Sequence, residues 1–359
     1  MIWNEHQYNG FYIIRNVDVH AGFCALVLYV LNGIRKAEEM NAIPVVDLNK
    51  QNTPDFYDPD HGQNIWNYYF APINTFSYKQ VMGFVANGQI LPDQIYTPTS
   101  EEVMNSHHSE KNRLATFWAQ ETPSDKAKWM EEKRAIGRDY VKKYLQINSV
   151  ISQKAQAVIY DNFQQNYVLG IHIRGTDFAY ASPTPLDQYF SEIEKIISQN
   201  KLEHYRIFIA TDQEQYVKAF QERYQSKLFH SNALRSDNHI APFRLQGNNA
   251  YKKGEDVLID MLVLSKCHHV IKGAAATGEM ALWFNDTPEV TDFALQGEFY
   301  KKPYYKLQTA FSKLNIADKT TLRLKIHRFR AKLVRRVQSS LVGQILFKRS
   351  KFIRKILRH

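Results

Sequence analysis

The sequence predicts an α/β protein built from two doubly wound, Rossmann-type domains with parallel sheets. Short apolar runs alternate with segments of helical periodicity, which is the pattern of strand–helix–strand units. The length of 359 residues corresponds to about two domains of roughly 150 residues each. Hydrophobic residues make up 44% of the chain and charged residues 23%, so the composition is globular and excludes wholesale disorder or a fibrous fold.

The N-terminal half begins like one α/β unit. Apolar residues at helical spacing follow a break centred on Gly22, and apolar runs flank this helix on both sides. Residues 50–100 give no clean periodicity. Further along, Ser124 is the expected N-cap of the first of two helices. The expected elements are a strand at 11–17, a helix at 24–40, a strand at 43–48 and two helices within 124–166.

From Tyr167 the alternation of strands and helices becomes regular. The run Tyr167–Ile173 has little polar character, as expected for a strand buried on both faces of a parallel sheet. Later strands are expected at 205–210, 227–230 and 269–272, and helices at 186–197, 213–224, 256–265 and 277–284. We therefore expect an N-terminal α/β domain at 1–150, a Rossmann-type domain at 151–318 and a tail at 319–359.

The formal net charge of +10 is concentrated in the tail. Residues 319–359 hold 14 of the 46 Lys and Arg and no Asp or Glu, which leaves 32 basic against 36 acidic residues in 1–318. The body thus carries a net charge of −4, which argues against a specific nucleic-acid binder. The tail interleaves basic and apolar residues at helical spacing, which is typical of an amphipathic helix on an anionic membrane surface. A disordered tail and charge-driven nucleic-acid affinity are the alternatives.

The cysteine content and the N-terminus indicate the compartment. Cys24 and Cys267 are too few for a disulfide framework or a cysteine zinc site, so we expect a reducing environment. Residues 1–9 lack the apolar run of a secretory signal, and no stretch reaches the ~18 apolar residues that span a bilayer. We therefore expect a cytoplasmic protein that is peripheral at the inner face of the cytoplasmic membrane.

The strongest candidate site follows the strand that ends at Ile173. Alternation along the strand puts His172 and Arg174 on one face, at the carboxyl end where open α/β sheets bind ligands. Gly175 lets the chain turn, and Asp177 adds a carboxylate. A guanidinium beside a glycine turn can clamp two phosphate oxygens. The structural alternative is an ion pair between Arg174 and Asp177, with His172 as a core histidine.

Two later strand ends add candidates. Asp212 follows the next strand, where capping of the following helix is the alternative role. Asp260 is an acid on an otherwise apolar helix, which usually implies a buried partner or a ligand. The small residues 273–278 let backbone amides approach a ligand, and a helix from Thr277 directs its positive end there. These features favour a phosphate-bearing ligand.

The usual motifs of metal sites and nucleophiles do not occur in the sequence. The histidine pairs 107–108 and 268–269 lack metal-ligand spacing, because neighbours in sequence point apart. Neither a Gly-x-Ser-x-Gly elbow nor a Gly-x4-Gly-Lys-Ser/Thr phosphate loop is found. We therefore expect neither a metal nor another cofactor.

The order of these motifs resembles the fucosyltransferase superfamily. His-x-Arg-x-x-Asp follows one strand, Ala-Thr-Asp follows the next, and Asp-x4-Ser-x-Cys precedes a strand and the small-residue turn. The likeness is to α1,6-fucosyltransferases and to the rhizobial nodulation enzyme that fucosylates chitin oligosaccharides. It covers 167–284, is fainter at 22–37 and leaves out the tail. The resemblance implies a GT-B fold with two domains facing a cleft, GDP-fucose as donor, no metal and inversion of the anomeric carbon.

The resemblance also assigns roles to single residues. His172 and Arg174 match positions that hold the donor pyrophosphate, and Arg174 would stabilise the departing GDP. Asp260 matches the acid that reads guanine, whose N1 and N2 groups can both donate to a carboxylate. Ala276 takes the place of a phosphate-binding serine, and Thr277 lies one position away. The donor-binding set that it implies is His172, Arg174, Gly175, Tyr189, Asp212, Asp260, Ala276 and Thr277.

Some positions depart from the family pattern. Gly175 replaces a second consecutive arginine, Phe178 replaces a lysine, and Ser182 replaces a glutamate that is a candidate base. For the catalytic base, Asp177 and Asp18 are the candidates. We take Asp177, together with Arg174, as the expected catalytic pair.

The resemblance, together with the phosphate-binding features above, implies an inverting, metal-independent glycosyltransferase that moves fucose from GDP-fucose to an oligosaccharide or surface-glycan precursor. The N-terminal domain would lie on the acceptor side and residues 151–318 would hold the donor. If the acceptor is lipid-linked, binding of the basic tail to the membrane would bring the enzyme to its acceptor. The alternatives are a transferase of this superfamily with another sugar or nucleotide, and a non-catalytic nucleotide-sugar or glycan-binding protein that kept the fold.

Overall fold

A computed structural model describes residues 7–18, 21–108, 125–176, 184–238, 240–245, 247 and 249–296. Asp177, Phe178, Ser182 and the tail at 319–359 lie outside these residues. The described strands are β1 (Phe11–Ile14), β2 (Ile43–Val46), β3 (Ile95–Tyr96), β4 (Tyr167–Ile173), β5 (Tyr205–Thr211), β6 (Leu228–Phe229), β7 (His269–Lys272) and β8 (Glu289–Asp292). The described helices are α1 (Phe23–Glu39), α2 (Trp66–Tyr69), α3 (Tyr78–Ala86), α4 (Ser100–His108), α5 (Lys126–Tyr144), α6 (Ser149–Asn162), α7 (Leu186–Gln199), α8 (Glu214–Tyr224), α9 (Ala250–Leu264), α10 (Ala276–Ala281) and α11 (Phe293–Gln296). None of these helices is long and apolar enough to cross a membrane.

The first sheet is parallel and has the order β2-β1-β3. Phe11 of β1 pairs with Ile43 of β2 on one side and with Ile95 of β3 on the other. On one face Phe11 packs in a small core with Val81 of α3, whereas Ile14 faces the larger core that contains α1. Every residue of β1 is therefore buried, as the apolar run predicts.

The second sheet is also parallel and has the order β6-β5-β4-β7-β8. The chain adds β5 and β6 on one side of β4 and then returns to add β7 and β8 on the other. The carboxyl ends of β4 and β7 therefore flank a topological switch point, which is where open α/β sheets bind ligands. In register, His172 of β4 lies between Ala210 of β5 and Lys272 of β7. The predicted α/β class with parallel sheets is confirmed.

Residues of β4 enter different cores, because successive side chains of a strand point to opposite faces. Leu169 and Ile171 pack with α7 and α8 on one face. Val168 joins a larger core with α6 and α9 on the other face. Helices thus cover both faces of this sheet, as the doubly wound pattern predicts. The larger core also contains α1, so the two sheets share it.

Direct contacts fasten the N-terminal elements to α9 and α10. The Tyr69 hydroxyl of α2 donates to the backbone oxygen of Tyr251 at 2.9 Å. A β-carbon on Gly254 would lie 2.5 Å from the Tyr69 ring, so only glycine allows this approach. Cys24 at the start of α1 lies 3.3 Å from the Thr277 hydroxyl of α10. The helices around the second sheet are thereby held against the first.

Most expected elements occur, and the differences have local causes. The N-cap of α5 is Asp125, one residue after the expected Ser124, and its side chain accepts from the Lys128 N–H at 3.0 Å. α9 begins at Ala250 rather than at 256, because its first turns are polar and hide the helical period. Residues 50–100 contain α2, α3 and β3, which are too short to show periodicity. β8 was not expected, since its four residues carry little apolar signal.

Candidate active site

His172 and Arg174 lie at the carboxyl end of β4, beside the switch point. The His172 side chain is buried, at 6% exposure, and its Nδ1 has no hydrogen-bond partner among the described residues. The ring packs on the backbone of α10, where a β-carbon on Gly278 would lie 2.9 Å from Nδ1. Arg174 is half-buried. Since buried polar groups are normally hydrogen-bonded, a buried ring nitrogen without a partner is an exception for which a bound water, an ion or a functional role is the usual explanation.

The His172 imidazole is neutral. Burial lowers its pKa, and the nearby positive charges of Lys272 and Arg174 lower it further, to about 3. A neutral imidazole presents one N–H donor and one acceptor. His172 can therefore donate a hydrogen bond to an anion without carrying a charge, while Arg174 supplies the positive charge.

Asp212, directly after β5, holds the turn that follows β4. One carboxylate oxygen accepts from the Gly175 N–H at 2.6 Å. The other accepts from the Thr176 N–H at 3.3 Å and from the Thr176 hydroxyl at 2.5 Å. Burial raises the pKa of Asp212, although these hydrogen bonds and the Arg174 charge favour the ionised form. The carboxylate thus contacts the turn next to Arg174 and fixes its backbone.

Gly175 stands where the family pattern has a second arginine. A β-carbon at this position would lie 2.6 Å from the Tyr216 ring and 2.7 Å from the Gln213 side chain. Close-packed interiors do not admit such distances, so a larger residue would force the start of α8 to move. The close approach of α8 to the turn therefore favours glycine at this position.

The small residues 273–278 form the connection after β7 and the first residues of α10. The helix begins at Ala276, in agreement with the predicted position of a helix start within this stretch. The Thr277 hydroxyl faces Cys24 of α1 at 3.3 Å, so this predicted donor-binding residue is held from the N-terminal side.

Tyr189 of α7 is buried behind the same strand end. Its hydroxyl donates to the backbone oxygen of His172 at 3.3 Å. A β-carbon on Gly273 would lie 3.0 Å from that hydroxyl, so the phenol also contacts the turn after β7. Burial raises the pKa of Tyr189, which keeps the hydroxyl protonated as a donor. Tyr189 therefore contacts the backbone at the end of β4 and at the turn after β7, and it stabilises both.

Asp260 lies on α9 and reaches the loop after β6. The Ser231 hydroxyl donates a hydrogen bond to its carboxylate. Burial raises the pKa of Asp260 to about 7, although Ser231 and the Arg235 charge favour the ionised form. On the same helix, Asp256 accepts from the Leu234 N–H at 2.8 Å. Two acids of α9 therefore hold this loop, and one of them titrates near neutral pH.

A buried ion cluster beside the site was not predicted from the sequence. Arg134 of α5 donates to the two carboxylate oxygens of Glu279 at 2.9 Å each, and to Asp292 at 2.7 Å. The Lys272 ammonium lies 2.9 Å from the Glu279 carboxylate and 2.7 Å from that of Asp292. Two cations and two anions neutralise one another, so all four charges can remain buried.

The charge state of Glu279 follows from this cluster. Burial by itself would raise the pKa of Glu279, but the charges of Lys272 and Arg134 outweigh burial and lower it to about 2. The sequence signal for the cluster is a charged residue in each of two apolar elements, since such charges need partners. This signal indicates that Lys272 and Glu279 need partners. It cannot identify Arg134, which is 145 residues away from Glu279.

The structure divides the predicted site residues into groups. Around the end of β4 and the turn after β7 lie His172, Arg174, Gly175, Tyr189, Asp212, Ala276 and Thr277. Asp260 is on the neighbouring helix α9 with Ser231. Asp177 lies outside the described residues, and the backbone oxygen of Asp18 accepts from the Asn16 amide after β1. Within the described ranges, no three His, Cys, Asp or Glu side chains form a metal-binding group.

Comparisons with known proteins were made by sequence and by structure. No family profile matches the sequence, and no curated protein matches it. The structure is similar to that of the fucosyltransferase NodZ from Bradyrhizobium, with a TM-score of 0.48, 16% identity, and coverage of 81% of this chain and 97% of NodZ. POFUT1 in complex with GDP-fucose gives a TM-score of 0.42 and 10% identity over 79% of this chain and 98% of POFUT1. A variant of Arabidopsis thaliana FUT1 in complex with GDP gives a TM-score of 0.43 and 9% identity over 79% of this chain and 70% of the FUT1 chain.

Proposed function

We propose that this protein is an inverting, metal-independent fucosyltransferase of GT-B architecture, which transfers fucose from GDP-fucose to an oligosaccharide or surface-glycan precursor. One observation carries the proposal. At the switch point of the second sheet, the buried Nδ1 of His172 lies without a partner beside Arg174 and the turn at 273–278. This arrangement supports the binding of an anion with several oxygens, and the motif resemblance favours the diphosphate of GDP-fucose as that anion.

The donor would be held at two places. The Arg174 guanidinium matches two phosphate oxygens at once, and His172 adds a hydrogen bond from a neutral ring. Asp260 would accept from the N1 and N2 groups of guanine once its carboxyl is ionised. Guanine has to compete with the Ser231 hydroxyl for this carboxylate, so binding would rearrange that contact.

The reaction would be a single displacement. The bond between the anomeric carbon of fucose and the diphosphate oxygen breaks, and the acceptor hydroxyl oxygen bonds to the same carbon from the opposite face. The electron pair of the broken bond leaves with GDP, and the acceptor proton passes to a carboxylate base. Negative charge grows on the leaving diphosphate, so Arg174 would stabilise the transition state more than the ground state.

For the base we propose Asp177, with Asp18 as the second candidate. Asp177 follows Arg174 by three residues in the sequence, and it is the carboxylate of the motif that begins at His172. Asp18 follows β1, at the carboxyl end of the first sheet. Replacing each by asparagine and measuring transfer against donor hydrolysis separates the two, because loss of the base lowers transfer while GDP binding persists.

A thermal-shift panel of nucleotides tests the donor. GDP at 100 times its dissociation constant should stabilise the protein by about 2.7 kcal/mol. UDP and ADP at the same concentration should stabilise it less, because they lack the paired N–H donors of guanine. A melting temperature that rises equally with UDP or ADP would contradict the guanine assignment.

Substitution of Arg174 tests the chemistry. Arg174→Ala should lower turnover at least ~10²-fold, as is typical of losing one transition-state donor, with a smaller loss of GDP affinity. Arg174→Lys should restore little, because an ammonium cannot bind two oxygens in the guanidinium geometry. If Arg174 only pairs with Asp177, then Arg174→Ala and Asp177→Ala should lower the melting temperature alike and leave turnover per folded molecule unchanged.

Gly175 favours a second candidate, a nucleotide-sugar or glycan-binding protein without catalysis. The family's second arginine is replaced, and Tyr216 and Gln213 leave no room for it. Purified protein that binds GDP but neither hydrolyses GDP-fucose nor transfers its sugar would support this candidate. Measurable donor hydrolysis that Arg174→Ala abolishes would exclude it.

For the location we propose the cytoplasmic face of a membrane, reached through the tail at 319–359. This basic amphipathic segment would bind anionic lipid and bring the site to a lipid-linked acceptor. A chain ending at Asp318 should keep donor hydrolysis and lose binding to vesicles that contain anionic lipid. Equal vesicle binding by the full chain and the shortened chain would contradict the membrane role of the tail.

A further inference from the structure

We propose that Glu279 is a positioning residue for the donor site, which keeps α10 at the distance that holds the His172 ring in place. This inference rests on the proposed function, because it assigns the support of a residue that would contact the donor diphosphate. Glu279 itself would touch no substrate atom.

The first step of the argument is the contact between α10 and His172. Gly278 packs directly against the ring: a β-carbon there would lie 2.9 Å from Nδ1 and 3.0 Å from Cγ. At this spacing even a shift of a few tenths of an ångström in α10 changes how the ring packs. The direction in which His172 presents Nδ1 therefore depends on the position of α10.

The second step is how α10 is held. Glu279 is the residue after Gly278, and its side chain is 1% exposed. Both of its carboxylate oxygens accept from Arg134 at 2.9 Å, which ties α10 to α5. Its carboxylate also lies 2.9 Å from the Lys272 ammonium of β7. α10 also packs into the larger core through Met280 and Ala281, and the ion pairs of Glu279 add the polar contacts that join this short helix to α5 and β7.

The third step links the anchor to the strand that carries His172. β7 is the direct neighbour of β4, and Lys272 is the register partner of His172. Lys272, which ion-pairs with Glu279, is thus adjacent to His172. Gly278 packs on the ring of this same histidine. The contacts between β4, β7 and α10 therefore link four residues to one another: His172, Lys272, Glu279 and Gly278.

Asp292 offers a matched control within the same cluster. It contacts the same two cations, with Arg134 at 2.7 Å and Lys272 at 2.7 Å, and it is equally buried. Its carboxylate also accepts from the Ala294 N–H at 2.9 Å, so it anchors α11. Loss of either carboxylate charge leaves the cluster with the same excess of positive charge, but only Glu279 lies on the helix beneath His172.

The experiment compares Glu279→Gln with Asp292→Asn in the full-length protein. Melting temperature, donor hydrolysis and the carbon-13 signal of the His172 ring are measured for both variants. The ring signal is assigned as the one that is missing from the spectrum of His172→Gln. We expect similar losses of melting temperature. Glu279→Gln should also lower kcat at least about tenfold and move the His172 signal, whereas Asp292→Asn should keep kcat within about threefold of the wild type and leave the signal in place.

Equal loss of kcat in the two variants would overturn the inference, as would an unmoved His172 signal in Glu279→Gln. Should Glu279→Gln fail to fold, Gly278→Ala replaces it, since the added β-carbon presses on the ring without touching the cluster. That variant should move the His172 signal and lower kcat, and an unchanged signal would again refute the inference. The ring signal is read without donor, so a wild-type protein that neither binds GDP nor hydrolyses GDP-fucose refutes the proposed function separately.

Discussion

The carboxylate of Asp212 accepts hydrogen bonds from both the backbone N–H and the hydroxyl of Thr176. This contact joins the end of β5 to the turn after β4, and a further bond from the Gly175 N–H completes it. The turn carries Arg174 at its start. A strand-end aspartate, which in isolation resembles a helix cap, therefore acts here as the support of the neighbouring strand's turn.

Substitution of Asp212 should release this turn. Asp212→Asn replaces one acceptor oxygen by a donor, so at least one of the three hydrogen bonds is lost. We expect the free energy of unfolding to fall by about 1.5 to 3 kcal/mol, as for hydrogen bonds to a charged group. Thr176→Val removes only the hydroxyl and should cost less. Urea unfolding of the two variants checks the order, and a larger loss in Thr176→Val would contradict it.

The pKa of Asp260 predicts a pH-dependent affinity for GDP. Its pKa is raised to about 7, mainly by burial, so the carboxyl is protonated at pH 6 and ionised at pH 8. Only the ionised form accepts from both guanine N–H groups. GDP affinity should therefore increase by up to about tenfold from pH 6 to pH 8, because with this pKa the ionised fraction rises from about one eleventh to about ten elevenths. Asp260→Asn should remove this increase, and ADP titrations over the same range measure the phosphate contribution separately.

The same group predicts the pH dependence of stability without ligand. Between the ordinary pKa of an aspartate, near 3.8, and about 7, the folded protein keeps a proton that the unfolded chain releases. The contribution of Asp260 to stability is therefore lost as the pH rises through this window. Asp260→Asn should be more stable relative to the wild type at pH 8 than at pH 4.5. A difference that is constant with pH would show that the carboxyl does not titrate in this way.

Gly175 should not accept the arginine of the family pattern. In Gly175→Arg the new β-carbon would meet the Tyr216 ring at 2.6 Å, which requires α8 to move. Overpacking of this kind typically costs about 1 to 3 kcal/mol. We expect a lower melting temperature and no gain of activity. Gly175→Ala should show most of the same loss of stability, because the clash begins at the β-carbon.

Arg134 should be among the most costly residues to replace. Arg134→Met leaves Glu279 and Asp292 with Lys272 as the remaining cation of the cluster, and uncompensated buried charge typically costs about 3 to 5 kcal/mol. Arg138→Met on the same helix is the control, because its ion pair with Glu131 is partly exposed. Exposed pairs contribute about 0 to 1 kcal/mol. Denaturant midpoints that fall equally for both variants would contradict the role of the cluster.

Much of the fold follows from local pattern. β4 and β7 have the bounds that their apolar runs predict, and α1 and α7 follow the helical period closely. A central parallel strand is buried on both faces and therefore contains few polar residues. An uninterrupted apolar run in the sequence thus indicates such a strand. Elements at the edge or of few residues, such as β3 and β8, carry little of that signal and were not predicted.

Local sequence pattern predicts the α/β class, the parallel strands and the chemical character of the β4 end, where His172 and Arg174 follow from strand alternation. The groups that surround these two residues depend on tertiary contacts. The aspartate on which the turn depends comes from β5, the glycine beneath the ring comes from α10, and the cation that holds Glu279 comes from α5. Alternation and periodicity act over one or two turns of chain, whereas the pairing of a buried charge is decided by which elements the shared core brings together. The sequence indicates that Lys272 and Glu279 need partners, and the packing of α5, β7, β8 and α10 supplies them.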